Sequence, residues 1–368
     1  MVEVAARPCL KSISAYLPGK PIGELRRELG LRSIFKLASN ENPLGTSPKA
    51  LKAIKRFASE SYLYPEGSSP ILRQALGKHL GVPPEWIVVG SGSDEIIRLI
   101  CEAFLNPGDE AVVSQFGFIR FNQQSALMGA KVVEVPMSKM RYDLRAMSRA
   151  VTSRTKLMFI ASPNNPTGTY CAEVEVAALL QSVPSRVLVV LDEAYYHYAR
   201  NRSDYPESIP DLVKSHTNLA VLRTFSKIYG LAGLRLGFGV ASPQVISWLH
   251  RIRMPFNVNL LAQCAGVAAL QDGAFVTKSV AIAETGKRYL RDSLESLGIH
   301  AGDSAANFLM LPTPYPCEKI FQDLLRYGII VRPLAEYGLH HHLRVSVATP
   351  EINRRFIGVL RRVLRSRR

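Results

Sequence analysis

Two residues carry the strongest chemical signal in this chain, Asp192 and Lys227. Asp192 directly follows the aliphatic run Val187-Leu188-Val189-Val190-Leu191. A carboxylate at the end of a buried strand is costly to desolvate unless it meets a partner. It either caps a helix or joins a core salt bridge, or it faces a buried cationic group such as a protonated pyridine nitrogen. Lys227 closes Arg223-Thr224-Phe225-Ser226-Lys227, just past a second aliphatic run. An amine in a partly dry pocket loses affinity for its proton and becomes a nucleophile. An exposed loop lysine is the ordinary alternative. Gly90-Ser91-Gly92-Ser93-Asp94 precedes a helical pattern. Free N–H groups at a helix start suit a phosphate, and Ser93 as a plain helix cap explains the string equally well. The dinucleotide fingerprint fails, because Glu95 stands where its third glycine belongs.

These residues need a frame that brings strand ends together. Short apolar runs at 87–89, 111–113, 131–135, 157–161, 187–191, 219–222 and 236–240 alternate with helical patterns. That texture predicts an α/β fold with a mostly parallel seven-stranded sheet between helices. Ligands in such sheets bind beyond the carboxyl ends of the strands. A further strand is expected over 36–42 and a short helix over 23–31. Past residue 255 the texture changes to long helices over 262–270 and 281–297, strands at 308–311, 328–332 and 343–347, and a helix at 317–327. This predicts a smaller α+β domain. The expected division is an N-terminal arm with part of the small domain over 1–35, a large domain over 36–254 and a small domain over 255–368.

Placed on strand ends, Asp192, Lys227, Ser226, Arg235, Asn165 and Tyr195 form one set that matches the needs of pyridoxal phosphate. The lysine forms a Schiff base, the aspartate keeps the ring nitrogen protonated, and the others hold the phenolic oxygen and the phosphate. The strings LASNENPLG (37–45), YLYPEG (62–67), SPNNPTG (162–168), DEAY (192–195), RTFSK (223–227), GLAGLR (230–235), VRP (331–333) and LRVS (343–346) resemble the aspartate aminotransferase superfamily of fold-type-I enzymes. They are most similar to its histidinol-phosphate aminotransferase branch, and the resemblance covers nearly the whole chain.

The resemblance implies Lys227, Asp192 and Tyr195 as catalytic residues. It implies Ser93, Asp94, Phe118, Asn165, Thr224, Ser226 and Arg235 around the cofactor. Tyr64 would reach the cofactor phosphate of a second subunit, making the site a property of a homodimer. Arg344, Arg332, Tyr16 and Asn42 would serve the substrate. Histidinol phosphate and the glutamate/2-oxoglutarate pair are the implied substrates. Three positions depart from the family pattern: Phe118 replaces a tyrosine, Ser91 an asparagine and Ala348 a glycine. They leave an aromatic amino acid aminotransferase open, with a threonine-phosphate decarboxylase-like enzyme as a further alternative.

Composition sets the outer bounds. With 47% hydrophobic and 21% charged residues the chain is globular rather than disordered. Its aliphatic runs are too short to cross a bilayer, and no apolar run follows a basic start, so a cytoplasmic protein is expected. Five cysteines without CxxC spacing predict neither disulfides nor a zinc site. His340-His341-His342 reads as a solvated loop rather than a metal site. The net charge of +16 admits nucleic acid, but the basic residues are scattered. The arginines of the tail follow the stripe Phe356, Val359, Leu360, Val363 and Leu364, the mark of an ordinary terminal helix with a basic outer face. No nucleic-acid partner, membrane or metal is expected. GxxxxGK[ST], HExxH and GxSxG are absent from the sequence.

Overall fold

The computed structural model describes residues 5–13 and 19–367. Its main sheet has seven strands: β2 (Ile87–Gly90), β3 (Glu110–Ser114), β4 (Lys131–Val135), β5 (Thr155–Ala161), β6 (Leu188–Asp192), β7 (Leu219–Thr224) and β8 (Gly237–Ala241). They lie in the order β2-β8-β7-β6-β5-β3-β4. β8 runs antiparallel to both β2 and β7, and the other pairs are parallel. Alternate residues of each strand feed two separate cores. Met158, Ile160, Val189 and Leu191 join one, while Leu157, Phe159, Val190 and Leu222 join the other. Burial on both faces explains why the strands are continuous aliphatic runs. Burying one such side chain is worth roughly 1.5–3 kcal/mol, so the sheet is a rigid base for whatever its ends carry.

A second, three-stranded antiparallel sheet has the order β11-β12-β9, built from β9 (Phe308–Pro312), β11 (Arg332–Pro333) and β12 (His342–Ser346). A third core lies under it, with Leu290, Leu309, Leu324, Leu343 and Phe356. The terminal helix Pro350–Arg365 buries Phe356, Ile357, Leu360 and Val363, so the apolar stripe faces this core. Among the described residues no single helix is long and apolar enough to cross a membrane.

Three expectations change. The strand expected over 36–42 is only β1 (Phe35–Lys36), which pairs in parallel with β10 (Ile329–Ile330). The backbone of Leu37 still bonds Ile330 and Ser346. At Asn40 the chain turns left-handed, with φ 55°, and no strand continues through that conformation. The strand expected over 328–332 is two short pieces, because β10 follows β1 while β11 pairs with β12. His342 begins β12 rather than lying in a loop.

Candidate active site

A cavity of about 560 Å³ lies where β5, β6 and β7 end and the small sheet faces them. Asp192 is the last residue of β6, set between Ala161 of β5 and Leu222 of β7. It is buried, with a relative exposure of 4%. Its Oδ1 accepts a hydrogen bond from the Ala194 amide at 3.0 Å. Burial pushes its carboxyl up to about 7, Glu193 and Asp94 push the same way, and the Ala194 amide and Lys227 oppose. Lys227 faces the same cavity, and its Nζ donates to the Ser39 carbonyl at 3.0 Å. Burial, then the nearby Arg344 charge, pulls its ammonium down to about 8. Nζ also stands 5.9 Å from the centre of the Tyr195 ring.

One end of the cavity is built for an anion. Ser93 is the first residue of the helix Ser93–Phe104. The cap is Gly92, at φ 77°, and it makes no side-chain cap bond, so Ser93 does not cap this helix. A Cβ at position 92 would stand 2.7 Å from Nη2 of Arg235, so glycine leaves the guanidinium its place. Arg235 itself sits at φ 55° and donates to the Ala232 carbonyl. Thr224 Oγ1 donates to Ser226 Oγ at 3.1 Å and accepts from the Ser226 amide. The Asp94 carboxylate is held by Arg120, at 2.7 and 3.2 Å. A carboxylate only accepts, so Asp94 could offer a bound anion only its backbone N–H. Phe118 lines the wall and meets Phe121 edge-on, with ring centres 5.6 Å apart.

The opposite wall belongs to the small sheet. Arg332 and Arg344 stand directly opposite each other across β11 and β12. Arg344 Nη1 donates to Asn165 Oδ1, and Nη2 to the Ala38 carbonyl at 2.5 Å. Arg332 forms a salt bridge to Glu336 at 2.5 Å. Tyr195 Oη accepts from Asn40 Nδ2 at 2.8 Å.

Residues 32–360 match the family model of class I and II aminotransferases. The chain belongs to this family. It is 46% identical over 358 residues to a histidinol-phosphate aminotransferase of Moorella thermoacetica, covering 97% of this chain and 92% of that one. It is 43% identical to a histidinol-phosphate aminotransferase of Symbiobacterium thermophilum, covering 98% and 99%. Among solved structures it resembles a histidinol-phosphate aminotransferase from Sinorhizobium meliloti in complex with pyridoxal-5'-phosphate. That likeness has a TM-score of 0.90 at 29% identity and covers 100% of this chain and 99% of that chain.

In this aminotransferase the structure gathers most of the sequence-predicted residues on one cavity: Lys227, Asp192, Tyr195, Ser93, Asp94, Phe118, Asn165, Thr224, Ser226, Arg235, Arg332 and Arg344. Asn42 is not among them. Its Nδ2 donates to the Ile228 carbonyl and to Ser279 Oγ, and its Oδ1 accepts from Leu44, so it pins the loop behind Lys227. Tyr64 is 83% exposed and stacks on Phe256, with ring centres 4.7 Å apart, outside this cavity. Tyr16 lies outside the described residues. The sequence reading missed Asn40, Arg120 and Glu336. The local signal for Asn40 is the pair of asparagines in Ser39-Asn40-Glu41-Asn42, which does not by itself say which of the two faces the cavity. Nothing local marks Arg120, whose partner lies 26 residues away.

Proposed function

We propose that the chain is a pyridoxal-phosphate-dependent histidinol-phosphate aminotransferase. It would exchange an amino group between the glutamate/2-oxoglutarate pair and histidinol phosphate in a ping-pong cycle. The observation that carries this reading is Asp192, a desolvated carboxylate at a strand end, facing a cavity shared with the half-buried Lys227. The printed names of relatives at 43–46% identity support the substrate.

The residues present fit the cofactor. Burial leaves Asp192 short of a positive partner, and a ring N–H⁺ would supply one. The Gly92 cradle, Ser93, Thr224, Ser226 and Arg235 would hold the phosphate at a helix start. Asn165 and Tyr195 would meet the ring oxygen, and Phe118 would cover a ring face. When bound, pyridoxal phosphate supplies an electron sink for the carbon bearing the amino group. Lys227 Nζ attaches the cofactor when no substrate is present and otherwise carries the proton that leaves Cα. An ammonium lowered to about 8 keeps a useful neutral fraction near neutral pH. Arg344 grips the substrate anion through its planar fork. Arg332 assists by trading Glu336 for a substrate phosphate or carboxylate.

The proposal extends to a cytoplasmic homodimer in which Tyr64 reaches the partner's cofactor phosphate, with a large domain over 36–254 and a small one over 255–368. The high exposure of Tyr64 supports the dimer. The test is to load the protein with pyridoxal phosphate and add histidinol phosphate and phenylalanine separately. The visible band should be lost at low concentrations of histidinol phosphate only. Comparable efficiency with phenylalanine would move the assignment to an aromatic amino acid aminotransferase.

A further inference from the structure

Asn40 is buried, with a relative exposure of 1%, and sits at φ 55°. Few side chains tolerate that backbone, and asparagine is one of them. Every polar group of Asn40 is committed. Its backbone N–H donates to Ser346 Oγ at 2.8 Å, and the Ser346 hydroxyl donates back to Asn40 Oδ1 at 2.9 Å. Its carbonyl accepts from Asn307 Nδ2 at 3.0 Å. Ser346 has a single hydrogen, and that hydrogen is spent on Oδ1. This sets the amide orientation and turns Nδ2 toward Tyr195, whose Oη it meets at 2.8 Å. Nδ2 can only donate. The phenol oxygen is therefore the acceptor, and its own hydrogen points away from Asn40. Tyr195 lines the cavity beside Asp192, Lys227 and Asn165.

We infer that Asn40 is a positioning residue for Tyr195, its amide directing the phenol hydrogen toward the ring oxygen of the bound cofactor. This rests on the cofactor reading above. The small-sheet residue Ser346 thereby helps set a proton on the large-sheet side of the cavity. Arg344, two residues earlier on β12, faces the same space. Among the described residues, Lys227 Nζ stands 5.9 Å from the centre of the phenol ring, the Tyr198 phenol is close enough to respond to its charge, and Asp192 lines the same cavity.

The test uses Asn40→Asp in the pyridoxal-phosphate-loaded enzyme. Aspartate keeps the size and the tolerance of a left-handed backbone, but both its oxygens accept. The Tyr195 hydrogen then turns back toward residue 40. A hydrogen bond donated to an oxygen favours its anionic form. With that donor lost, the chromophore should hold its proton to higher pH. The midpoint of the visible absorbance transition should rise by about one pH unit, about tenfold in proton affinity. In a Tyr195→Phe background the same substitution should move the midpoint far less, because the effect passes through the phenol. A midpoint equal to wild type, or a shift that persists undiminished in Tyr195→Phe, would overturn the assignment. Asn40→Gly retains the backbone conformation and serves if the aspartate variant does not fold. It should shift the midpoint in the same direction by less, and no shift would count against the proposal. If the parent enzyme forms no visible band with pyridoxal phosphate, the cofactor reading itself fails, and that outcome is distinct from all of these.

Discussion

The two ends of the cavity are built on opposite electrostatic plans. On the large-sheet side, Asp192 is buried at a strand end and its carboxyl is pushed up to about 7, which marks a charge short of compensation. On the small-sheet side, the guanidinium groups already hold acceptors: Arg332 the Glu336 carboxylate, and Arg344 the neutral oxygens of Asn165 and Ala38. A site with a standing deficit suits a resident group that stays through the cycle. A site whose cations already hold exchangeable partners suits visiting anions of differing shape. Under the proposed function the first end keeps the cofactor, and the second serves a phosphate in one half-reaction and a carboxylate in the other.

The largest test of this contrast is Lys227→Ala. Turnover should fall by about 10⁴-fold, the upper range for a positioned acid–base group. Steady-state kinetics in both directions would check it. Next is Asp192→Asn, with kcat down by roughly 10²–10³-fold, as for loss of one preorganised electrostatic group. Its effect on stability runs the other way. In the cofactor-free protein the folded state holds the Asp192 proton more tightly than the unfolded chain does. Stability should therefore fall as pH rises from about 4 to about 7, and the deficit should persist above that. Asparagine removes this slope, so the variant should melt no lower than wild type above about pH 7. Thermal melts across that range would read it, and a variant that melts far lower would show that the carboxylate is structural.

The small-sheet end should respond more gently. Arg344→Lys keeps the charge and loses the planar fork, and kcat/KM should drop by roughly 10²-fold for both amino donors. An effect on one donor alone would break the shared-anion account. Glu336→Gln should be the smallest change. It frees Arg332 from its internal carboxylate, and KM should fall a few-fold, about 1 kcal/mol, for whichever substrate displaces Glu336. An increase in KM would mean that Glu336 holds Arg332 in place rather than competing with the substrate.

The same division governs what the sequence discloses. Seven aliphatic runs stand out because their strands are buried on both faces. Asp192 and Lys227 stand out because polar residues follow those runs directly. The small-sheet wall is harder to read. β1 and β10 are two residues each and pair across almost the whole chain, so no local pattern marks them. The contact of Asn40 with Tyr195 spans 155 residues, and Asn42, two residues on, turns the same side chain to the Ile228 carbonyl and Ser279 Oγ. Resemblance supplied Arg332 and Arg344, but not Glu336, whose part depends on a salt bridge inside a short turn.

The most direct test of the central claim is borohydride reduction of the protein loaded with pyridoxal phosphate, followed by peptide mass mapping. Reduction fixes the cofactor to the amine that holds it. A single phosphopyridoxyl group on the peptide containing Lys227, lost when histidinol phosphate is added first, is the predicted result. Label on a different lysine, or none at all, would contradict the assignment of this cavity as the cofactor site.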